Sequence, residues 1–293
     1  MDLIEINHLT KSYGRSRGID DLSLKVQQGD IFGFIGPNGA GKSTTIRILL
    51  NLLFPTSGSA TIFGFDVVRD SKKIRGRIGY VPSDANMYDR MTVSEFLTFG
   101  AAFYGGKNHS ARIKYLLDLF DLAPDRKITE LSMGNKKKVS IIQALVHRPE
   151  LLILDEPTSG LDPLIQSRFF DLLHDENKNG TTIFFSSHTL SEVQAFCRSV
   201  AIVKDGKIVK VESIAAMREK QVKKIRIVFP EATNIADIDI DGVGHSESGD
   251  GKAFSFLYSG DINALVGKLA GKQLVNLSIE EPSLEEIFLH YYK

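Results

Sequence analysis

Tryptophan is absent from these 293 residues and cysteine occurs once. A single thiol, Cys197, cannot close an internal disulfide, which excludes a disulfide scaffold and fits a reducing compartment; its expected role is that of a small buried apolar residue. Net charge is missing too, because 36 Lys and Arg balance 36 Asp and Glu. That removes the basic excess expected of a nucleic-acid binder, so no nucleic-acid partner is expected. Long apolar runs are lacking: the stretches around Ile48 to Pro55 and Leu151 to Leu154 fall far short of the roughly 20 residues that cross a bilayer. Met1 to Thr10 lacks a basic segment followed by an apolar core, so no secretory signal is expected. Any membrane role must then run through a partner. What remains is an ordinary globular composition, 42% hydrophobic, and a length that suits one large domain with or without a small appendage.

Short strand-like runs, Asp30 to Ile35, Leu151 to Leu154 and Thr182 to Ser186, alternate with helical stretches and predict an α/β domain with a largely parallel sheet. Between Arg90 and Pro149 the pattern turns helical, in Val93 to Tyr104, Ala111 to Leu122 and Ser132 to His147, which reads as a helical insertion at about 88–149. After Lys220, strand-like Lys224 to Phe229 and Ala253 to Tyr258 with helical Ile262 to Ala270 predict a small α+β domain, placing the boundary between 1–218 and 219–293. Ser283 and Glu286 form a capping-box pair ahead of Leu284, Ile287, Phe288 and Tyr291, predicting a last helix with one apolar face.

Gly36-Pro37-Asn38-Gly39-Ala40-Gly41-Lys42-Ser43 fits G-x-x-x-x-G-K-[ST] between a strand and a helix that starts near Lys42 and continues through Thr44. Glycines let successive N–H groups curl around one anion, and the helix start adds its positive end. Lys42 can reach β and γ phosphates, and the Ser43 hydroxyl suits Mg²⁺, which needs few protein ligands. The apolar strand Leu151 to Leu154 ends in Asp155 and Glu156, where ligands gather in such sheets. Asp155 is placed for the Mg²⁺ shell and Glu156 to orient or deprotonate an attacking water.

Between these elements lies Leu131-Ser132-Met133-Gly134-Asn135-Lys136-Lys137-Lys138; after them come Ser159-Gly160-Leu161-Asp162 and, past a strand, His188. In order and spacing, residues 1 to about 215 resemble the ATP-binding cassette family. The resemblance implies a phosphate-loop NTPase fold, a RecA-like core with a mixed sheet and helical insertion, and hydrolysis of ATP with Mg²⁺. It implies that Tyr13 stacks on adenine, that Ser132 and Gly134 face the γ phosphate held by another subunit, that Asp162 contacts the opposite phosphate loop, and that His188 touches the γ phosphate and attacking water. Each ATP would be sandwiched between two cassette chains, in a homodimer or a related heterodimer, under separate integral-membrane permease subunits. The chain would then sit in the cytoplasm on the inner face of the membrane.

Two departures stand out. The signature reads Ser-Met-Gly-Asn where the family commonly has Ser-Gly-Gly-Gln, and Ser83, in Tyr80-Val81-Pro82-Ser83-Asp84, replaces a glutamine of longer reach. Either a water or Asp84 completes the metal shell beside Ser83, or that contact is absent. The family places a permease helix near Ser83 to Tyr104, making Met87, Tyr88 and Phe96 contact candidates. The tail ending resembles the drug, antibiotic and peptide export branch. The alternative is a soluble cassette acting on the ribosome or nucleic acid.

Overall fold

The computed structural model describes residues 1–14, 16–84, 87–88, 90–105, 108–219, 223–233, 243–249 and 251–280. The chain divides into two compact units, Met1–Ser213 and a second beginning at Ile214.

The first unit opens on two long strands, β1 (Asp2–Tyr13) and β2 (Ser16–Gln27), which pair antiparallel and are joined by β4 (Ser57–Ile62) and β5 (Phe65–Asp66) in the order β2-β1-β4-β5. This sheet is absent from the sequence-based reading. The second sheet is built from β3 (Ile31–Ile35), β6 (Ile78–Val81), β7 (Leu151–Asp155), β8 (Thr182–Ser187), β9 (Ser199–Lys204) and β10 (Lys207–Ser213), in the order β10-β9-β3-β8-β7-β6. All neighbours are parallel except β10 with β9, so the sheet is mixed. Strands β3, β7 and β8 are buried along their whole length, which explains their unbroken apolar runs. Phe32 stacks on Phe184 at 5.9 Å, and both lie in a core shared with Ile6, Leu22 and Leu24 of the antiparallel sheet.

Helix α1 (Lys42–Leu49) follows β3 and α2 (Ser71–Arg75) precedes β6. The insertion contains α3 (Val93–Ala102), α4 (Ser110–Leu119) and α5 (Met133–Leu145). A capping box of Thr92 and Glu95 starts α3. The last two helices stop short of the expected Leu122 and His147, because Asp121 and Arg148 turn left-handed at φ +51° and +53°. Leu122 N–H then bonds back to Leu117, and Arg148 N–H to Leu145. Helix α6 (Pro163–Lys178) leads into β8, and α7 (Leu190–Phe196) separates β8 from β9. Cys197, just after α7, is buried, and burial pushes its thiol pKa up.

The second unit holds α8 (Ile214–Glu219), α9 (Ile262–Leu269) and a four-stranded sheet of β11 (Lys223–Val228), β12 (Val243–Gly249), β13 (Ala253–Tyr258) and β14 (Asn276–Glu280), ordered β12-β13-β11-β14. Its own core joins Ile225, Ile227, Phe254 and Phe256 to Leu265 and Leu269 of α9. The capping box at Ser283 and Glu286 and the helix expected after it lie outside the described residues. No helix among the described residues is long and apolar enough to cross a membrane.

Candidate functional site

The loop leaving β3 is shaped by what its glycines lack. A Cβ on Gly36 would stand 2.4 Å from the Val203 carbonyl, and one on Gly41 2.7 Å from the Gly18 carbonyl. Gly39 and Gly41 take φ of +82° and +104°, conformations that side chains resist. Gly41 caps α1 with no side-chain hydrogen bond, and the first turn carries no acidic residue. The opening N–H groups of α1 are therefore presented to an anion rather than to a carboxylate of the chain. The turn is pinned from behind, since Ala40 N–H bonds to Pro37 and the Ala40 carbonyl accepts from Gly206 N–H at 3.1 Å.

Lys42, 5% exposed, folds back so that Nζ donates to the carbonyls of Gly36 at 2.7 Å and Pro37 at 3.2 Å. The same ammonium lies 3.4 Å from Glu156 Oε1, whose other oxygen, Oε2, is 3.1 Å from His188 Nδ1. Glu156 holds this bridging position through a left-handed backbone, φ +48°, directly after β7. A non-glycine residue there is strained by about 1 kcal/mol or more, a cost that recurs where a side chain must be aimed. His188, directly after β8, is half exposed.

Asp155, the last residue of β7, is 1% exposed. Burial raises its pKa, and hydrogen bonds from Ser43 and Ser186 pull the other way; the Ser186 hydroxyl donates at 3.0 Å. A hydroxyl and a buried carboxylate side by side are the hard-oxygen donors that Mg²⁺ takes, so Ser43 and Asp155 fit that ion.

These groups open onto a cavity of about 260 Å³ whose lining includes Tyr13, Gly18, Asn38, Ser43, Thr44 and Glu156. Tyr13, at the end of β1 and 48% exposed, lies against Gly18, where a Cβ would meet the ring at 2.7 Å. Lys11 Nζ stands 5.5 Å from the ring centre. The structure thus brings Tyr13, Asn38, Gly39, Gly41, Lys42, Ser43, Thr44 and Glu156 to one cavity, with Asp155 behind it and His188 at its edge.

Ser132, Gly134 and Asp162 do not line that cavity. Ser132 caps α5, accepting from Asn135 N–H at 3.3 Å, and Asp162 caps α6, accepting from Ile165 N–H at 3.0 Å. The two helix starts adjoin, because a Cβ on Gly134 would lie 2.6 Å from the Gly160 carbonyl. Both capping residues are exposed. Ser83 and Asp84 stand on the loop after β6, and the Ser83 carbonyl accepts from Lys137 Nζ. Sequence reasoning missed Lys137, Ser186 and Gly18. Only Gly18 carried a signal, a glycine within a strand, which marks a close approach.

A second cavity, of about 550 Å³, is lined by Met87, Tyr88, Phe96, Phe99, Phe103 and Tyr104 among others. Of the three contact candidates, Phe96 is buried, while Tyr88 is exposed together with Phe99 and Phe103. The three exposed rings stack edge to face, 5.9 Å from Tyr88 to Phe99 and 5.1 Å from Phe99 to Phe103.

A family model described as ABC transporter matches residues 19–159. A bacitracin transport ATP-binding protein of Bacillus licheniformis is 35% identical over 98% of this chain and 96% of its own length. An ATP-binding subunit of an ABC transporter superposes with a TM-score of 0.70 at 30% identity, covering 74% of this chain and 92% of that one. The ATP-binding cassette MJ0796, in a dimeric post-hydrolysis state bound to ADP and Pi, gives a TM-score of 0.67 at 26% identity over 72% and 98% of the two chains.

Proposed function

The chain belongs to the ATP-binding proteins of ABC transporters, and from that premise we propose that it drives export of a drug-, antibiotic- or peptide-like cargo through a separate membrane permease. The full-length relation to a bacitracin transport protein, tail included, supports the cargo class. The chain is an ATPase, and the observation that carries the catalytic assignment is the Lys42–Glu156–His188 array above Ser43 and Asp155.

The roles follow from position. Tyr13 offers a ring to adenine at the mouth of the cavity. The α1 N–H groups and Lys42 hold the β and γ phosphates, Lys42 exchanging its loop carbonyls for phosphate oxygens. Ser43 and Asp155 would hold Mg²⁺, which when bound neutralises phosphate charge. Glu156 orients a water and takes its proton, while His188, on the opposite carboxylate oxygen, approaches the γ phosphate.

Ser132, Gly134 and Asp162 are exposed or partly exposed helix starts away from this cavity, as expected of groups offered to nucleotide on another chain. We therefore assign the working unit to two cassettes closing over ATP. The Tyr88, Phe99 and Phe103 surface is assigned to a permease segment, which brings the chain to the inner membrane face. The alternative of a soluble cassette acting on the ribosome finds no support in these relations.

Light scattering of purified Glu156→Gln with and without Mg-ATP tests the two-chain unit. A monomer that becomes a dimer only with Mg-ATP is expected. A variant that binds ATP and stays monomeric would overturn self-pairing and require a different cassette partner.

A further inference from the structure

Three consecutive lysines follow the start of α5, and they are not alike. Lys136 and Lys138 are partly exposed, whereas Lys137 is 3% exposed. Its Nζ donates to the carbonyl of Pro82 at 2.8 Å and of Ser83 at 3.0 Å, across more than fifty residues of sequence. Burying an ammonium is costly unless it is paired and hydrogen-bonded. Here burial lowers the Lys137 pKa, and the carboxylates of Asp155, Asp84 and Glu156 act against that fall. Two of those three belong to the ATP site.

The same helix and the turn after it meet β6 elsewhere. A Cβ on Gly79 would stand 2.2 Å from the Ala144 carbonyl, and His147 Nε2 lies 3.2 Å from the Ile78 carbonyl. Helix α3 also touches α5, since a Cβ on Gly100 would meet the Gln143 side-chain nitrogen at 2.7 Å. Helix α5 thus touches both β6, with the loop after it, and α3, which carries the aromatic surface.

We infer that Lys137 is a positioning residue for ATP hydrolysis, clamping the Pro82 and Ser83 carbonyls so that Asp84 is held toward the metal-binding side of the site and the loop moves with α5. The inference rests on the ATP site proposed above. A serine hydroxyl at position 83 reaches less far than the glutamine usual there, and the bonds that hold this loop run from behind, through main-chain oxygens.

The test uses the full chain and compares Lys137→Met, Lys137→Arg, Asp84→Asn and the double variant Lys137→Met/Asp84→Asn, with Lys42→Ala as control. Read-outs are kcat, KM for ATP, the Mg²⁺ concentration for half-maximal rate, and the melting temperature. Lys137→Met is expected to lower kcat about tenfold and to raise the Mg²⁺ requirement about threefold, with KM for ATP changed less than about twofold. Arginine, which keeps charged donors, restores at least half of kcat, and adding Asp84→Asn to Lys137→Met costs little more, because both act through one group. Wild-type kcat and Mg²⁺ dependence in Lys137→Met would overturn the inference. So would full multiplication of the two single effects, or a fall in kcat explained by a lower melting temperature and not reversed by arginine. Should Lys137→Met not fold, Lys137→Gln, with amide donors and no charge, is read against the same criteria. If Lys42→Ala binds and hydrolyses ATP like the wild type, the ATP-site reading itself fails, independently of Lys137.

Discussion

Two loops leave the carboxyl ends of parallel strands in the mixed sheet, and they are held in different ways. The loop after β3 takes its curl from its own glycines, at φ +82° and +104°, and is backed by the main chain of Val203 and Gly206. The loop after β6 takes its shape from a lysine more than fifty residues away. A phosphate cradle must be ready before its ligand arrives, and local backbone geometry provides that. A connecting loop must report on another element, and only a bond to that element can do so.

The largest effect expected separates chemistry from cradle. Glu156→Gln fills the same space but is a far poorer base, and its kcat should fall by about a hundredfold or more with ATP binding retained; steady-state turnover beside nucleotide-binding titration checks this. Next comes the cradle itself. Gly41→Ala forces a Cβ to 2.7 Å from the Gly18 carbonyl at φ +104°, and urea unfolding should show a loss of about 2–3 kcal/mol. The counterpart in the other loop, Ser83→Ala, should change stability by no more than about 0.5 kcal/mol, since it is the main-chain oxygen there that is bound. Equal costs at Gly41 and Ser83 would erase the contrast.

A pH-dependent effect, smaller than that at Gly41, probes how the turn after α5 holds β6. Burial, the first cause, drops the His147 pKa to about 4, opposed by the hydrogen bond with Ile78. The ring is stacked on Tyr104 at 3.5 Å, and its Nδ1 is buried without a hydrogen-bond partner among the described residues. Because the folded pKa lies below the unfolded value of about 6.5, the unfolded chain takes up a proton first as pH falls. The contribution is present above pH 6.5 and is lost toward pH 4, on the order of 2 kcal/mol once partial solvent access is allowed for. His147→Gln should flatten the fall in melting temperature across that window.

The contrast between the loops also explains what was legible. The phosphate loop, the acidic end of β7 and the α/β alternation are short-range patterns, and they stand where the sequence places them. The sheet of β1, β2, β4 and β5 was not legible. Its first strand is broken by register shifts between Ile6 and Leu9 and again near Lys11, so its apolar alternation is interrupted; its partner β4 lies some fifty residues on. The early stops of α4 and α5 fall on aspartate and arginine in a left-handed turn, residues that give no glycine signal. Lys137 was hidden among solvated neighbours of the same type. Phe99 and Phe103, at helical spacing with Phe96, drew no attention in the sequence, and they are exposed where Phe96 is buried.

The abutment of Gly134 on Gly160 bears on how two nucleotide sites communicate. Gly160 comes four residues after Glu156 and two before Asp162, so the backbone that places the hydrolytic carboxylate runs straight into the surface where α5 and α6 begin. On the two-chain reading proposed above, that surface faces the neighbour's nucleotide. Half a dozen residues of covalent chain therefore join the carboxylate at one nucleotide to the surface offered to the other, the shortest route by which an event at one could reach the second.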